Sequence, residues 1–595
     1  MKSNLMSRRD LDFLLFEWLR IDELTKRERF AEHSRDTFAA VLDLCEELAT
    51  RYFAPHNKKS DANEPSFDGT TVTVIPEVKQ ALDAVARADL LSMSMDHDIG
   101  GAQLPTTVAS AGVVWLHAAN VSTAAYLLLT LGNANLLSKY GSSHQIDAFV
   151  KPMLAGRFSG TMCLSEPQAG SSLADIVTRA EPQPDGSYRL FGSKMWISGG
   201  DHELTENIVH LVLAKIPDGP AGTKGISLFV VPKFLVDENR QRNDVALAGL
   251  NHKMGYRGTT NTVLNFGEGR FQPNGQPGAV GYLVGEPHRG LSYMFHMMNE
   301  ARLGVGLGAI GLGYTGYLKS LEYARNRPQG RPVTAKDPTS PQVPIIAHPD
   351  VKRMLLAQKS YVEGALALAL YCARLVDIGH SAESEQELDR ANLLLDILTT
   401  IAKSWPSQWC LEANNLAVQV HGGYGYTREF DVEQHYRDNR LNPIHEGTHG
   451  IQSLDLLGRK VVQRGGASLG ALGDAVNESV HAATATGGEL AELAAQLDVA
   501  WQRLTRVTAS MFASGDVEAA LANSVIYLET LGHIVVAWMW LEQLRAGHGY
   551  SGDFYDGKRQ AARYFFNYEL PKTAPQLDLL ERLDRTTLDM RDTWF

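Results

Sequence analysis

The stretch 437-RDNRLNPIHEGTHGIQSLDLLGRK-460 sets a carboxylate, Glu446, between an apolar approach (Leu441, Pro443, Ile444) and the pair Gly447-Thr448. Pro443 discourages helix in the residues before it, whereas Ile451, Leu454 and Leu457 are spaced for a helix that begins near Thr448. Glu446 is therefore expected in a short connection at a helix start, where a base can face a cleft instead of bulk water. The alternative is a first-turn glutamate that complements the helix dipole.

Working outward, the chain before this stretch has helical spacing over 299–326, 349–379 and 385–421, runs far longer than an average helix of about 11 residues. Long helices with short joints predict an antiparallel bundle. Gly304, Gly306, Gly308, Gly311 and Gly313 thin one helix face, for close approach either of a ligand or of another helix. Further upstream the period changes. The runs 188–191, 208–214, 226–231 and 262–266 are short and β-branched or alternating, divided by turn signals such as Asp185-Gly186. They predict a compact β-barrel or sandwich over 157–285. Before it the chain is expected to be helical, with 56–73 as a loop and 106–140 as two buried helices. After the bundle, 464–474 is expected to be a linker, and helices over 489–512 and 516–545 follow.

Three segments carry a resemblance: 161-TMCLSEPQAGSS-172 with 194-KMWISGG-200, 417-AVQVHGGYGYTRE-429, and 443–452 around Glu446. Together, in this order and spacing, they resemble the acyl-CoA dehydrogenase family over about residues 30–465. The long lead and helical tail look like the branch that contains methylmercaptopropionyl-CoA dehydrogenase. The fold implied is α+β and multidomain: an N-terminal helical domain (1–156), a middle β domain (157–285), a C-terminal four-helix bundle with the catalytic base (286–465) and an additional helical domain (466–595).

The resemblance implies FAD as cofactor and Glu446 as the base that removes the α-proton of an acyl-CoA, giving a trans-2-enoyl-CoA. It assigns the flavin pyrimidine edge to Ser165 with the backbone at Cys163 and Leu164, and the pyrophosphate to Gly170 and Ser171. Trp196 would cover a flavin flank and Ser198 would reach N5. Gln419, Gly422, Gly423 and Arg327 would meet FAD across a subunit boundary, with Thr448 also on the cofactor. Gln168, Ser172 and Gln329 depart from the usual family residues. Arg302, Tyr256, Arg257, His445 and Gly447 fall on the substrate side. An electron-transfer flavoprotein would take the electrons, and a shared FAD site implies a homo-oligomer, most simply a dimer.

Composition narrows the rivals. A net charge of −12 argues against nucleic acid as the main partner. Residues 466–595 carry ten Lys/Arg against seventeen Asp/Glu, which argues against a nucleic-acid-binding flavoprotein relative with a basic C-terminal domain. The four cysteines have no CxxC spacing, so neither zinc nor a disulfide framework is suggested, and buried thiols in a reducing cytoplasm are expected. No apolar run reads as a membrane span; 533–541 is the greasiest. An acyl-CoA oxidase passing electrons to O₂ remains the alternative in the same fold.

Overall fold

The computed structural model describes residues 4–334, Asp337 and 339–595. The chain forms two compact units, one built from residues up to Ala39 with Pro105–Val114 and Val305–Phe595, the other from Ala40–Leu104 and Trp115–Gly304.

The second unit contains an eight-stranded sheet. Its strands are β1 (Phe158–Cys163), β2 (Arg179–Pro182), β3 (Tyr188–Ser198), β4 (Asn207–Lys215), β5 (Ile226–Pro232), β6 (Val245–Leu250), β7 (Asn261–Phe266) and β8 (Ala279–Leu283). The hydrogen-bonded order is β8-β5-β4-β2-β3-β7-β6, with β1 parallel to β4. Strand β8 pairs antiparallel with both β5 and β3, so five strands close on themselves and the fold is a barrel. The four runs expected from sequence lie inside β3, β4, β5 and β7. Strands such as RAEP (β2) and VALAGL (β6) lack β-branched alternation, and only pairing with neighbours makes them strands. Asp185-Gly186 does turn β2 into β3, with Gly186 at φ 82°.

The expected loop at 56–73 instead holds a helical turn, Asn57–Ala62, and a ribbon of Ser66–Phe67 with Val72–Thr73. The Asp68 carboxylate accepts the N–H groups of Thr70 and Thr71 at 2.8 Å and closes that turn. The break expected within Thr106–Tyr140 is at Asn120, with φ −163° and ψ 91°. Its side-chain oxygen accepts the N–H of Thr123 at 3.1 Å, so Asn120 caps the second half of the helix.

The first unit is helical. Pro349–His380 and Glu385–His421 pack along one another, and the glycine-thinned face belongs to the helix Gly290–Asn326. A Cβ on Gly306 would lie 2.2 Å from the Ala402 carbonyl oxygen, and one on Gly313 2.7 Å from Cys410 Cβ. Close helix packing thus accounts for these two glycines. The expected linker is confined to Arg464, Gly465 and Gly466, all with positive φ, because a helix resumes at Ala467 and runs to Thr486. The expected 516–545 helix divides at Asn523 into Val517–Ala522 and Ser524–Ala546. Trp538 and Trp540 are buried there, and their indoles donate to Ser479 Oγ at 2.7 Å and the Ser360 carbonyl at 3.1 Å. The tail helices therefore pack on the bundle within this unit.

Two helices, Thr106–Tyr140 and Ser524–Ala546, prove long and apolar enough to cross a membrane. The sequence reading missed this because their apolar residues are interspersed with Ser, Thr, Asn and His. Of the most apolar window in each, 78% and 83% is buried inside the protein, as befits core helices. All four cysteines are buried and free.

Two expectations follow. Lys558 is 2% exposed and pairs with the buried carboxylates of Asp10 and, at 2.9 Å, Glu363. Lys558→Met should cost about 3–5 kcal/mol, the penalty for leaving buried charge uncompensated, read as a drop in thermal midpoint. His117 is buried, and among the described residues neither ring nitrogen has a hydrogen-bond partner. Burial lowers it from 6.5 to about 4. The unfolded chain then binds the extra proton first, so stability falls as pH drops from about 6.5 toward 4, by on the order of 3 kcal/mol for this residue. His117→Leu should shrink the loss of thermal midpoint between pH 7 and pH 5; an unchanged loss would refute this.

Candidate active site

Glu446 lies in the turn that ends at Thr448, whose hydroxyl accepts the N–H of Ile451 at 3.3 Å and caps the helix His449–Asp455. Its backbone is left-handed at φ 52°, followed by Gly447 at φ 88°. A non-glycine residue in that region is strained and persists only where its surroundings hold it. Here the Gln452 side chain donates to the Glu446 carbonyl at 2.9 Å. Lys403 donates to the carbonyls of Asn442 at 2.8 Å and Gly447 at 2.7 Å. The half-buried His445 shares a 3.1 Å hydrogen bond with Asn442 Oδ1. Burial first, then the Lys403 ammonium, pushes His445 down to about 3, so it is neutral at working pH. Glu446 itself is half-buried and follows an exposed Ile444.

In the second unit, β1 ends at the buried Cys163 and leads into Leu164, Ser165 and a tight turn from Glu166 to Ala169. Glu166 and Lys194 form a buried ion pair at 2.9 Å, and Lys194 also donates to the Leu164 carbonyl at 3.0 Å. Burial alone would raise Glu166, but the Lys194 ammonium and donors from Thr178 and Val177 hold it at about 2. Gln168, one of the departures from the usual family residues, donates to the same carboxylate at 2.8 Å. This pair ties the 164–166 turn to β3, where Met195 N–H donates to the Ser165 carbonyl at 3.0 Å. Beyond Lys194 the register of β3 shifts, and Trp196 takes φ 65°. The bulge turns its indole outward, 60% exposed, with Ser198 Oγ accepting from Asn261 at 3.3 Å. Gly170 and Ser171 are exposed, and a Cβ on Gly170 would meet nothing within 4 Å.

In the first unit, Gly422 (φ 61°) and Gly423 end the helix Glu385–His421 in open space, and the exposed Arg327 guanidinium lies 5.8 Å over the Tyr424 ring. Gln419 is exposed beside them. These features fit a flavin dinucleotide: bare backbone and hydroxyls at Gly170-Ser171 for phosphate, an outward indole for a ring, and an arginine next to open glycines.

Of the residues expected on the substrate side, Arg302 is buried. Tyr256 is buried with φ 50°. Arg257 is held near Glu64 at 3.6 Å and Asp61 at 3.8 Å. Lys403, Gln452, Glu166 and Lys194 were not singled out as functional from the sequence. Glu166, Lys194 and Gln452 lay inside the quoted segments, and only Lys403 lay outside them.

The chain is 36% identical to 3-methylmercaptopropionyl-CoA dehydrogenase of Ruegeria pomeroyi over 539 residues, covering 88% of this chain and 87% of that protein. The chain belongs to the acyl-CoA dehydrogenase family. Family models for the acyl-CoA dehydrogenase middle domain match residues 161–268, for the C-terminal domain 288–461, and for an acetyl-CoA dehydrogenase C-terminal-like domain 472–591. The broad-specificity linear acyl-CoA dehydrogenase FadE5 of Mycobacterium tuberculosis is 33% identical, with 99% of each chain covered. The acyl-CoA dehydrogenase of Bacillus anthracis complexed with FAD shares the fold at a TM-score of 0.74 and 18% identity, covering 94% of this chain and 90% of that one. The protein is thus an FAD-dependent acyl-CoA dehydrogenase, an oxidoreductase, and the oxidase alternative is set aside.

Proposed function

We propose that Glu446 is the base of this dehydrogenase. The observation that supports it most is the left-handed Glu446 backbone, held by ties on both sides in a half-buried loop. The α-hydrogen of an acyl thioester is weakly acidic. The Glu446 carboxylate takes it, and the Glu446 N–H is the protein donor to the thioester carbonyl, raising that acidity as an oxyanion hole does. Bound FAD would supply a hydride acceptor at N5 for the β-hydrogen. Ser165, with the backbone at Cys163 and Leu164, would hold the pyrimidine edge, Gly170 and Ser171 the pyrophosphate, and Trp196 and Ser198 the flavin. His445, its basicity lowered by burial and by the Lys403 ammonium, is a poor proton acceptor and is read as a packing residue of the loop. Gly447 and Arg302 are candidates for the substrate side, and Tyr256 and Arg257 for contact with CoA. Thr448 orients the loop through its cap.

The same reading divides the chain at about 156, 285 and 465. It makes the enzyme a cytoplasmic homodimer in which Arg327, Gln419, Gly422 and Gly423 meet the partner's FAD, with an electron-transfer flavoprotein as electron acceptor. The open glycines beside Arg327 support the shared site.

Glu446→Gln should retain FAD and bind acyl-CoA, while anaerobic flavin bleaching slows by at least ~10²–10⁴-fold. Glu446→Asp should lie between, since a shift of about 1 Å costs ~10²-fold. Bleaching at the wild-type rate in Glu446→Gln would place the base elsewhere. The purified protein should be yellow, and Arg327→Ala should weaken both flavin retention and self-association on gel filtration; loss of neither would remove the shared site.

A further inference from the structure

Lys403 lies within the helix Glu385–His421 and is fully buried. Its ammonium donates to the carbonyls of Asn442 and Gly447, which bracket residues 443–446. These bonds tie the chain on either side of Glu446, and a methionine of similar volume could not make them. The charge does reach the loop from both sides of Glu446: His445 and His449 are lowered to about 3 and about 4, by burial first and by Lys403 next.

The rest of the loop is tied to the bundle by amides. Asn442 donates to Asn439 Oδ1 at 2.8 Å. Asn439 donates to Asn414 Oδ1 at 2.7 Å and to the Ala309 carbonyl at 3.2 Å. Asn414 donates to the Leu312 carbonyl at 2.9 Å. On the far side, Gln452 holds the Glu446 carbonyl at 2.9 Å. Within this frame, the two Lys403 bonds connect the start of the loop to the residue after the base. A residue at φ 52° leaves that basin readily unless both flanks are fixed.

We infer that Lys403 is a positioning residue for the base, its two bonds fixing the turn that aims the Glu446 carboxylate and N–H. The inference rests on Glu446 being the base, so Glu446→Gln is measured alongside. The test uses FAD-loaded Lys403→Met, Lys403→Arg and Gln452→Leu. Their flavins are reduced anaerobically with increasing concentrations of whichever straight-chain acyl-CoA bleaches the wild type fastest.

Lys403→Met is expected to keep its FAD and to fold with a lowered thermal midpoint, since two carbonyls lose their donor. Its limiting reduction rate should fall 10- to 100-fold, in line with ~10²-fold for a misplacement of about 1 Å. The half-saturating acyl-CoA concentration should change less than threefold, and Lys403→Arg should recover part of the rate. Gln452→Leu should show the same selective loss, smaller in size, and it decides the matter if Lys403→Met does not fold. A folded, loaded Lys403→Met reducing at the wild-type limiting rate would overturn the inference. So would a loss confined to FAD binding and stability, or, where Lys403→Met does not fold, a wild-type rate in Gln452→Leu. If Glu446→Gln reduces at the wild-type rate, it is the base assignment that has failed, whatever Lys403→Met does.

Discussion

The helical unit is drawn from chain segments hundreds of residues apart, and the buried ammonium of Lys558 is where they meet. On the helix Asp553–Tyr564, it pairs with Asp10 from the N-terminal lead and with Glu363 from Pro349–His380. Gln543 of the tail accepts from it at 2.8 Å, and Tyr314 of Gly290–Asn326 donates to the same Asp10 at 2.9 Å. Burial and the nearby Glu363 raise Asp10, whereas the ammonium groups of Lys359, one turn away on the same helix, and Lys558 outweigh burial at Glu363 and lower it. Such a knot is weak evidence for stability, because an apolar replacement of the whole set can be as stable. Its directional bonds do fix how lead, bundle and tail are registered. That gives the extra helices a part in holding the helical unit together.

The residue proposed as base and the one proposed to cover the flavin both sit on backbone that L-residues seldom adopt. Glu446 is left-handed between tied carbonyls, and Trp196 is left-handed in a bulge beside the buried Lys194–Glu166 pair. In each case a fully buried lysine stands next to the strained residue and donates to backbone carbonyls. A carbonyl acceptor fixes chain position, whereas a lone carboxylate partner would fix only a side chain. Backbone ties of this kind keep a reacting group within the fraction of an ångström that catalysis needs.

The sequence by itself determined the succession of helices, a β domain and helices, through its change of period, and that 106–140 is two helices; the structure placed the break at Asn120 and closed the β domain into a barrel. It determined the place of Glu446 before a helix start, because Pro443 and the capping Thr448 act locally. It also located the segments that carry the family resemblance, whose glycines and hydroxyls are local in the chain. The tertiary structure alone decided that RAEP and VALAGL are strands, since their partners lie elsewhere in the chain. It decided that the glycine-thinned face accommodates a neighbouring helix at Gly306 and Gly313, and that a helix resumes directly after Gly466. Lys403 and Lys558 were illegible as a loop clamp and a buried knot. A lysine within a helical period reads as solvent-facing until packing closes over it, and its partners are carbonyls and carboxylates that no local pattern records. Local chemistry is written in neighbouring residues, whereas burial and backbone strain arise only when distant segments meet.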